Sequence, residues 1–373
     1  MPAKASFFAK AFSIIINTIT WICCLAGALS LMAPFTDPVQ HTYIQHFGLL
    51  FPVFFILYLI LFIIHIFLRK WTSLLPLAMI ILSWNLLGAF FPVNKSSNES
   101  GTLKILTYNL HLFYGSQAKQ DKIMITDQIA SVLLGSNAQL ICLQEFKSWS
   151  NDGELDLKKF VANSGFDHYY YENYWKGMVK KKEGMLILSQ YPLYETKAVR
   201  LENGRLLALM AELSLPSGER IRVVNAHLIS FGLAKKEIDF VGEASFTDRE
   251  LVKTHGKTLF GKLNSSFLKR SGETKTLIET LSVSDMKTVV CGDFNDTPSS
   301  FTYQQMVSAG FTDSHRASGN GFISTYAGRL PFLRIDYIFV SPGLKTLNAK
   351  KIPVVLSDHY PYYCEISPDL AGM

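Results

Sequence analysis

Val289-Val290-Cys291-Gly292-Asp293-Phe294-Asn295-Asp296-Thr297-Pro298 is the most informative stretch of this chain. Its apolar, β-branched beginning predicts a buried strand. The strand stops at a glycine, and Asp293 and Asn295 then stand two residues apart before the chain breaks at Thr-Pro. Polar side chains at the end of a buried strand are how α/β enzymes present catalytic groups. A plain Asx-Pro turn would use the same residues, so the rest of the chain must decide between the two interpretations.

Five other apolar runs end or begin at polar residues of similar kinds. They lead to Asn109, Gln144-Glu145, Asn225-Ala226-His227, Asp336 and Ser357-Asp358-His359. None of these places has a serine or cysteine in the elbow sequence typical of a nucleophile. Carboxylates, amides and imidazoles instead suit a hard, oxygen-ligated Mg²⁺ and an anionic substrate oxygen.

These motifs, taken in order, resemble the endonuclease/exonuclease/phosphatase superfamily, the group of deoxyribonuclease I, exonuclease III, the neutral sphingomyelinases and the inositol polyphosphate 5-phosphatases. The motifs are Asn109, Gln144-Glu145, Asn225-Ala226-His227-Leu228, Gly292-Asp293-Phe294-Asn295, Arg334-Ile335-Asp336-Tyr337-Ile338 and Ser357-Asp358-His359-Tyr360-Pro361. They span roughly residues 102–366. The resemblance implies an α/β (α+β) fold, a four-layered sandwich of two mainly antiparallel sheets flanked by helices, with the site at the top of the sheets.

The resemblance also implies a metal-dependent phosphoric ester hydrolase. Glu145 would be the principal ligand of Mg²⁺, which Mn²⁺ could replace, and Asn109 and Asp358 would assist it. One position departs from the pattern. Exonuclease III-like enzymes carry an aspartate ligand two residues after the asparagine, whereas this chain has His111. The departure argues against repair of abasic sites and leaves nuclease, sphingomyelinase-like and phosphatase-like substrates open.

The implied reaction is in-line attack of water on a phosphate ester. Asp293 and Asn295 would hold and deprotonate the water. His227 and His359 would donate to the non-bridging oxygens as charge grows on them, and Asp336 would fix the tautomer of His359. We further assign Arg334 and Tyr326 to substrate binding.

The front of the chain is apolar. No Asp, Glu, Lys or Arg lies between Lys10 and Asp37, between Asp37 and Arg69, or between Lys70 and Lys95. Each gap is long enough to cross about 30 Å of hydrocarbon as a helix. We therefore predict a membrane anchor at 1–93 with three transmembrane helices near 11–33, 47–68 and 71–92. A polar linker at 94–101 and a catalytic domain at 102–368 follow.

Basic residues predict the orientation of this integral membrane protein. Lys4, Lys10, Arg69 and Lys70 flank helix ends that share one side, whereas the loop 34–46 has no Lys or Arg. The positive-inside rule therefore places the N-terminus in the cytoplasm and the catalytic domain outside it, at the cell or inner membrane. A cleaved signal peptide is the alternative for the first span, but its apolar run is long and two more spans follow directly.

The pattern between 102 and 368 predicts strands, with helices between some of them. Helices are predicted near 119–136, 154–164 and 299–309, and strands after the first two motifs near 168–174, 185–189, 196–200, 206–213, 220–227, 287–292, 335–340 and 361–366. Residues 229–286 form an insertion. Its helical spacing from Arg249 to Leu281 predicts two helices broken around Ser271-Gly272, and we interpret it as a surface insertion rather than a substrate lid.

Charge bears on the substrate. The sequence has 36 basic residues (Lys and Arg) and 30 acidic residues (Asp and Glu). Five of the basic and two of the acidic residues lie in the first 100, so the remainder has 31 basic and 28 acidic residues and a net charge of +3. This weak excess favours nucleic acid as the phosphodiester substrate over a phospholipid head group or another small phosphoester. The lipid bilayer is the other expected partner, and no protein partner is inferable. A membrane-tethered binding module without catalysis is the alternative from another class.

Overall fold

The computed structural model describes residues 2–68, 70–95, 99, 101–114, 122–148, 157–176, 182–233, 249–282, 285–328, 330 and 332–368. Several predicted features lie partly or wholly outside these residues. They are the basic residue Arg69, half of the linker 94–101, the starts of the helices at 119–136 and 154–164, and residues 234–248 and 283–284 of the insertion 229–286.

Five helices precede the first strand: α1 (Pro2–Met32), α2 (Pro38–Leu49), α3 (Phe51–Phe67), α4 (Leu74–Leu82) and α5 (Trp84–Phe90). The stretch Lys10–Phe35 is long and apolar enough to cross a membrane as one helix. Helices α2 and α3 meet at a bend of 53°, and the helical segments Trp71–Leu82 and Trp84–Phe90 meet at 52°. The described residues therefore allow one to three spans, and the three-helix anchor stays a prediction.

The first sheet has six strands: β1 (Leu103–Asn109), β2 (Leu140–Ser148), β3 (His168–Asn173), β4 (Lys182–Ser189), β11 (Leu344–Lys351) and β12 (Tyr362–Pro368). They lie in the order β11-β12-β1-β2-β4-β3. Only the pair β1 and β2 runs parallel among the described pairs of this sheet. Strand β11 is absent from the predicted pattern.

The second sheet comprises β5 (Leu193–Arg200), β6 (Leu206–Ser214), β7 (Arg220–His227), β8 (Thr288–Asp293), β9 (Thr312–Asp313) and β10 (Asp336–Val340). Their order is β5-β6-β7-β8-β10-β9. Strands β7 and β8 are parallel and the other described pairs antiparallel. Each sheet is thus mixed and mainly antiparallel.

Burial on both faces of both sheets produces four layers. In β8, Val289 and Cys291 point into the core between the sheets, while Val290 points into the core beneath the outer helices. This explains why the strand is a continuous apolar run rather than an alternating one. Helices α6 (Lys122–Gly135) and α7 (Leu157–Asn163) cover the first sheet. Helices α8 (Arg249–Leu281) and α9 (Phe301–Ser308) cover the second, and the short α10 (Ser314–Ser318) follows β9. The predicted four-layered sandwich is confirmed.

The predicted helix break in the insertion is wrong. Helix α8 runs without interruption through Ser271 and Gly272. Ser271 is fully buried and donates a hydrogen bond to Asp37 at 3.0 Å, so tertiary contact offsets the weak helix propensity of the pair.

The loop side of the anchor packs along α8. Besides Ser271, Asp37 contacts Lys275 Nζ at 2.5 Å. The His46 ring stacks on Phe260 at 4.3 Å and bonds to Asn264 Oδ1 at 2.7 Å. The N-terminal helices and the sandwich therefore share a specific interface.

Candidate active site

Strand β8 delivers Asp293 to the end of the second sheet. Gly292 precedes it with φ +142°, and a Cβ there would lie 1.9 Å from the Ala226 carbonyl oxygen of β7. Glycine thus permits the close approach of β7 and β8. Asp293 is buried, and its Oδ1 accepts a hydrogen bond from the Asn295 backbone N–H at 2.8 Å. The Asx turn and the candidate site are therefore one structure rather than alternatives.

Strand ends bring the other motifs to the same place. His227 and Asp336 are the register partners of Asp293 on its two neighbouring strands. In the first sheet, Asn109 pairs with Gln144, the residue before Glu145. A register shift in β2 and a positive φ of 50° turn Glu145 toward the site, as β-bulges commonly do next to active sites.

Asn109 links the two sheets across the site. Its Nδ2 donates to Asp293 Oδ2 at 2.9 Å and to Glu145 Oε1 at 3.3 Å, while its Oδ1 accepts from the His111 N–H at 3.0 Å. In this orientation the amide group holds two carboxylates, and its predicted role as a metal ligand stays a prediction. Gln144, by contrast, is fully buried and bonds to Asn225 at 2.7 Å, so this pair joins the sheets below the site.

His359 lies between two carboxylates. Its Nδ1 bonds to Asp336 Oδ2 at 2.8 Å, and its Nε2 lies 3.7 Å from Asp293 Oδ2. Burial opposes the charged imidazole, but Asp336 and Asp293 outweigh it, so the pKa of His359 lies well above its ordinary value. Burial raises the pKa of Asp293, which is about 7. The charge of His359 lowers this pKa, and the neighbouring Asp336 carboxylate raises it. The geometry matches the expected role of Asp336 in orienting the imidazole.

Tyr174 orients the second histidine. Its hydroxyl oxygen accepts the Glu145 backbone N–H at 3.0 Å and lies 2.5 Å from Nδ1 of His227. The hydroxyl hydrogen is left for Nδ1, which puts the ring proton on Nε2. This Nε2 lies 3.7 Å from Glu145 and 3.8 Å from Asp293. Burial, followed by the charges of Arg205 and His359, lowers the pKa of His227 to about 3, so the ring is a neutral hydrogen-bond donor.

Tyr174 was missed by the sequence analysis. It stands one residue beyond the end of β3 in Asn-Tyr-Trp. An aromatic residue there is also what an ordinary half-buried strand end contains, and only the fold brings it to His227.

Asp358 and His111 form the open side of the site. Asp358 Oδ1 lies 3.4 Å from His111 Nδ1, and both side chains are partly exposed. The neighbouring Ser357 Oγ donates to the Asn109 carbonyl oxygen at 2.8 Å, which ties this segment to the end of β1. Burial raises the pKa of Glu145, and the nearby Asp358 carboxylate raises it further. Asp358 and Glu145 line the same cleft, and their roles as ligands of one metal stay a prediction.

The two residues assigned to substrate binding have different surroundings. The Tyr326 ring packs edge-on against the His359 ring at 5.5 Å and lines the cleft. Arg334 is 1% exposed and forms a two-point ion pair with Asp313, at 3.1 and 2.7 Å. The guanidinium group of Arg334 therefore binds Asp313 in the interior, at the end of the second sheet. The structure does not bring Arg334 to the cleft where a substrate would bind.

A cleft of about 560 Å³ gives access to these groups. Its polar lining is His111, Glu145, Ser230, Asp293, Asn295, Tyr326, Asp358 and His359, and its apolar lining includes Phe231, Leu233, Leu330, Leu333 and Ile335. No lysine or arginine appears among the described lining residues. The basic groups of the described lining are therefore imidazoles, and that of His359 lies between Asp336 and Asp293.

The donor set fits a hard divalent metal. Ligand atoms of Asp293, Asp336 and His359 lie within 4.8 Å of one another, and Glu145 and Asp358 add two carboxylates on the open side. Clustered carboxylate oxygens are the ligands that Mg²⁺ and Mn²⁺ prefer in proteins.

Comparisons with known proteins agree with this architecture. A model described as the Endonuclease/Exonuclease/phosphatase family matches residues 82–359, and a model of a domain of unknown function matches residues 11–90. No curated protein matches the chain.

Three solved structures share the fold. An endonuclease/exonuclease/phosphatase from Beutenbergia cavernae is 18% identical with a TM-score of 0.50, covering 72% of each chain. A family protein from Bacteroides thetaiotaomicron is 16% identical with a TM-score of 0.51, covering 73% of this chain and 100% of that one. The human Nocturnin catalytic domain with bound sulfate is 17% identical with a TM-score of 0.50, covering 72% and 94%.

The family match covers most of the chain and includes every motif from Asn109 to His359. Enzymes of this family typically use divalent metals, and a buried group of acidic and histidine side chains is present in this site. The two-sheet sandwich and the family match together show that the chain belongs to the endonuclease/exonuclease/phosphatase family, whose members are hydrolases of the phosphoesterase kind.

Proposed function

We propose that this protein is a membrane-anchored, Mg²⁺-dependent phosphodiesterase that uses water as the nucleophile. The observation that carries the proposal is the setting of Asp293. This buried carboxylate lies within 4 Å of His227 and His359 and accepts hydrogen bonds from Asn109 and Asn295. A carboxylate with a pKa of about 7 is suited to accept a proton near neutral pH.

In the proposed reaction Asp293 removes one proton from a water molecule while the water oxygen forms a bond to phosphorus. The ester P–O bond on the opposite side breaks, and the departing alkoxide takes up a proton from water in the cleft. His227, through Nε2–H, and His359 donate hydrogen bonds to the non-bridging oxygens, where negative charge grows. Tyr174 and Asp336 keep the two rings in the donating orientation.

Glu145 and Asp358 would hold the metal, with Asn109 as the predicted third ligand. Bound there, the ion would supply positive charge to the phosphate oxygens. In this proposal Asn109 can offer its oxygen only if the bond from the His111 N–H to Oδ1 is shared or broken.

The cleft lining weakens the preference for nucleic acid. The net charge of +3 outside the first 100 residues belongs to the domain as a whole, whereas the described lining has no lysine or arginine. A tight nucleic-acid site needs several cations to replace counterions. Nucleic acid stays a predicted substrate that plasmid cleavage would test.

We expect the full-length protein in detergent to hydrolyse bis(p-nitrophenyl) phosphate in Mg²⁺ or Mn²⁺. EDTA should lower the rate by about 10²-fold or more, and excess Mg²⁺ should restore it. Glu145→Gln should raise the Mg²⁺ concentration needed for half-maximal rate, because one carboxylate ligand is lost. An unchanged rate in EDTA would contradict the metal assignment. Ligand binding without turnover in any metal would favour the inactive binding module.

The proposed topology places the N-terminus in the cytoplasm and the catalytic domain outside it. A reporter that is active only outside the cytoplasm should be active when fused after residue 95 and silent when fused after Lys70. This result follows from the absence of Lys and Arg in the loop 34–46, compared with the basic residues at the opposite helix ends. The reverse pattern would refute the positive-inside argument.

A further inference from the structure

We propose that the active-site cleft opens onto the bilayer that holds the anchor, and that the phosphoester it hydrolyses is carried by a membrane lipid. The proposal rests on the phosphoesterase function proposed above and adds the source of the substrate. It comes from three observations: where the anchor touches the sandwich, what forms the rim of the cleft, and which charges line it.

The anchor ends at the same end of the sandwich as the site. The carbonyl oxygen of Ala89, at the end of α5, accepts a hydrogen bond from Arg334 Nη2 at 3.0 Å. Arg334 stands two residues before Asp336, in the segment that forms one wall of the cleft through Leu333 and Ile335. The end of the third apolar segment therefore lies directly behind that wall.

The turn between α2 and α3 reaches the same region. The carbonyl oxygen of Gly48 accepts a hydrogen bond from Ser299 Oγ at 2.7 Å. Ser299 is four residues beyond Asn295, on the loop that leaves β8 at the site. Two of the three predicted hydrocarbon boundaries on this side of the anchor, near residues 47 and 92, thus contact loops that extend from catalytic strands.

The rim between the anchor and the cleft is apolar and exposed. Phe91, just after α5, packs against Phe322 at 5.3 Å between ring centroids. Phe322 is 39% exposed and Phe332, beside the lining residue Leu333, is 42% exposed. Exposed aromatic rings thus occur both where the end of α5 meets the sandwich and next to the lining residue Leu333. Aromatic side chains in this position are typical of the interface between a bilayer and water.

The charges also distinguish a lipid from a polyanion. A phospholipid presents one phosphodiester beside apolar chains. The cleft has a corresponding lining, in which a few polar groups lie beside the apolar side chains of Phe231, Leu233 and Leu330. Nucleic acid presents a row of phosphates, and no lysine or arginine of the described lining is available to pair with them.

The experiment uses the full-length chain reconstituted into vesicles of phosphatidylcholine, phosphatidylethanolamine and phosphatidylglycerol in Mg²⁺. We expect release of a phosphorylated or free head group from vesicle lipid, and no cleavage of plasmid DNA or RNA added outside. Bis(p-nitrophenyl) phosphate in the same sample reports the catalytic groups independently. Soluble glycerophosphodiesters with the same head groups should be cleaved on the order of tenfold more slowly than the lipids, because they lack the apolar chains.

Substitution of the rim separates docking from catalysis. Phe322→Ser with Phe332→Ser should lower lipid hydrolysis on the order of tenfold and leave hydrolysis of bis(p-nitrophenyl) phosphate unchanged. The matched control is Tyr194→Ser. Tyr194 is 45% exposed and pairs with Glu212, toward the end of β6 remote from Ala208, which pairs with Ala226 beside His227. This control should change neither rate.

The outcomes are distinguishable. Hydrolysis of bis(p-nitrophenyl) phosphate without any lipid hydrolysis would overturn the lipid proposal and leave the phosphodiesterase proposal standing. Cleavage of plasmid or RNA with the lipids untouched would overturn it in favour of nucleic acid. Failure on every substrate in both Mg²⁺ and Mn²⁺ would refute the proposed function itself. Equal loss of lipid hydrolysis in the rim variant and in Tyr194→Ser would exclude the rim as the docking surface.

Discussion

Asp293→Asn should lower kcat/KM for bis(p-nitrophenyl) phosphate by about 10²- to 10⁴-fold while the protein stays folded. The substitution keeps the size of the side chain, and its amide oxygen can still accept from Asn109 or Asn295. The amide cannot accept a proton from water at neutral pH. Because Asp293 is buried among other carboxylates, removal of its charge should not lower the stability of the fold.

The measurement compares steady-state rates in saturating Mg²⁺ with the thermal unfolding midpoint of the same samples. Asp285→Asn is the matched control, since Asp285 is exposed just before β8 and its charge is remote from the Asn109 and Asn295 contacts. A rate for Asp293→Asn within about threefold of the unchanged protein would contradict the role of Asp293 as the base.

Asp313→Ala should destabilise the protein by about 3–5 kcal/mol, because it leaves a buried arginine without its partner. Arg334 and Asp313 are 1% and 2% exposed, and two hydrogen bonds join them. The same carboxylate also accepts from the Tyr303 hydroxyl at 3.0 Å. Without the Asp313 carboxylate, the Arg334 guanidinium group keeps only its hydrogen bond to the Ala89 carbonyl oxygen, of the contacts named here.

Chemical denaturation in detergent, followed by tryptophan fluorescence, would measure the effect as a lower midpoint. Glu99→Ala is the control, because Glu99 pairs with the half-exposed Lys345 at the surface. Removal of an exposed pair should leave the midpoint close to that of the unchanged protein. Similar midpoints for Asp313→Ala and Glu99→Ala would show that the buried pair does not stabilise the end of the second sheet.

Two buried pairs, His359 with Asp336 and Arg334 with Asp313, join residues that are not adjacent in the sequence. The sequence analysis predicted the first pair and missed the second. His359 and Asp336 both belong to motifs, so the resemblance implied their contact, and the structure has it at 2.8 Å. Arg334 belongs to a motif too and was assigned to the substrate, but it pairs with Asp313, which no motif contains. A motif identifies which residue types occur at a position, and the partner of a buried charge depends on packing.

The sequence by itself determined the sandwich and most of its site. Apolar runs ending in Asn109, Glu145, His227 and Asp293 predict strands, because side-chain periodicity is a local property of the chain. The resemblance of their motifs to a known family implied that the strand ends meet in one site. The apolar gaps before residue 95 likewise predict a membrane anchor from composition alone, and the stretch Lys10–Phe35 is long and apolar enough to cross a membrane.

Tertiary structure alone decided what depends on neighbours far along the chain. It brought Tyr174 to His227, kept α8 continuous through Ser271 and Gly272, and turned Arg334 away from the cleft. It also brought Ala89 and Phe91, at the end of the N-terminal helices, into contact with Arg334 and Phe322. These features arise from contacts between surfaces that form only when the sheets and helices pack, and such contacts leave no periodic pattern in the sequence.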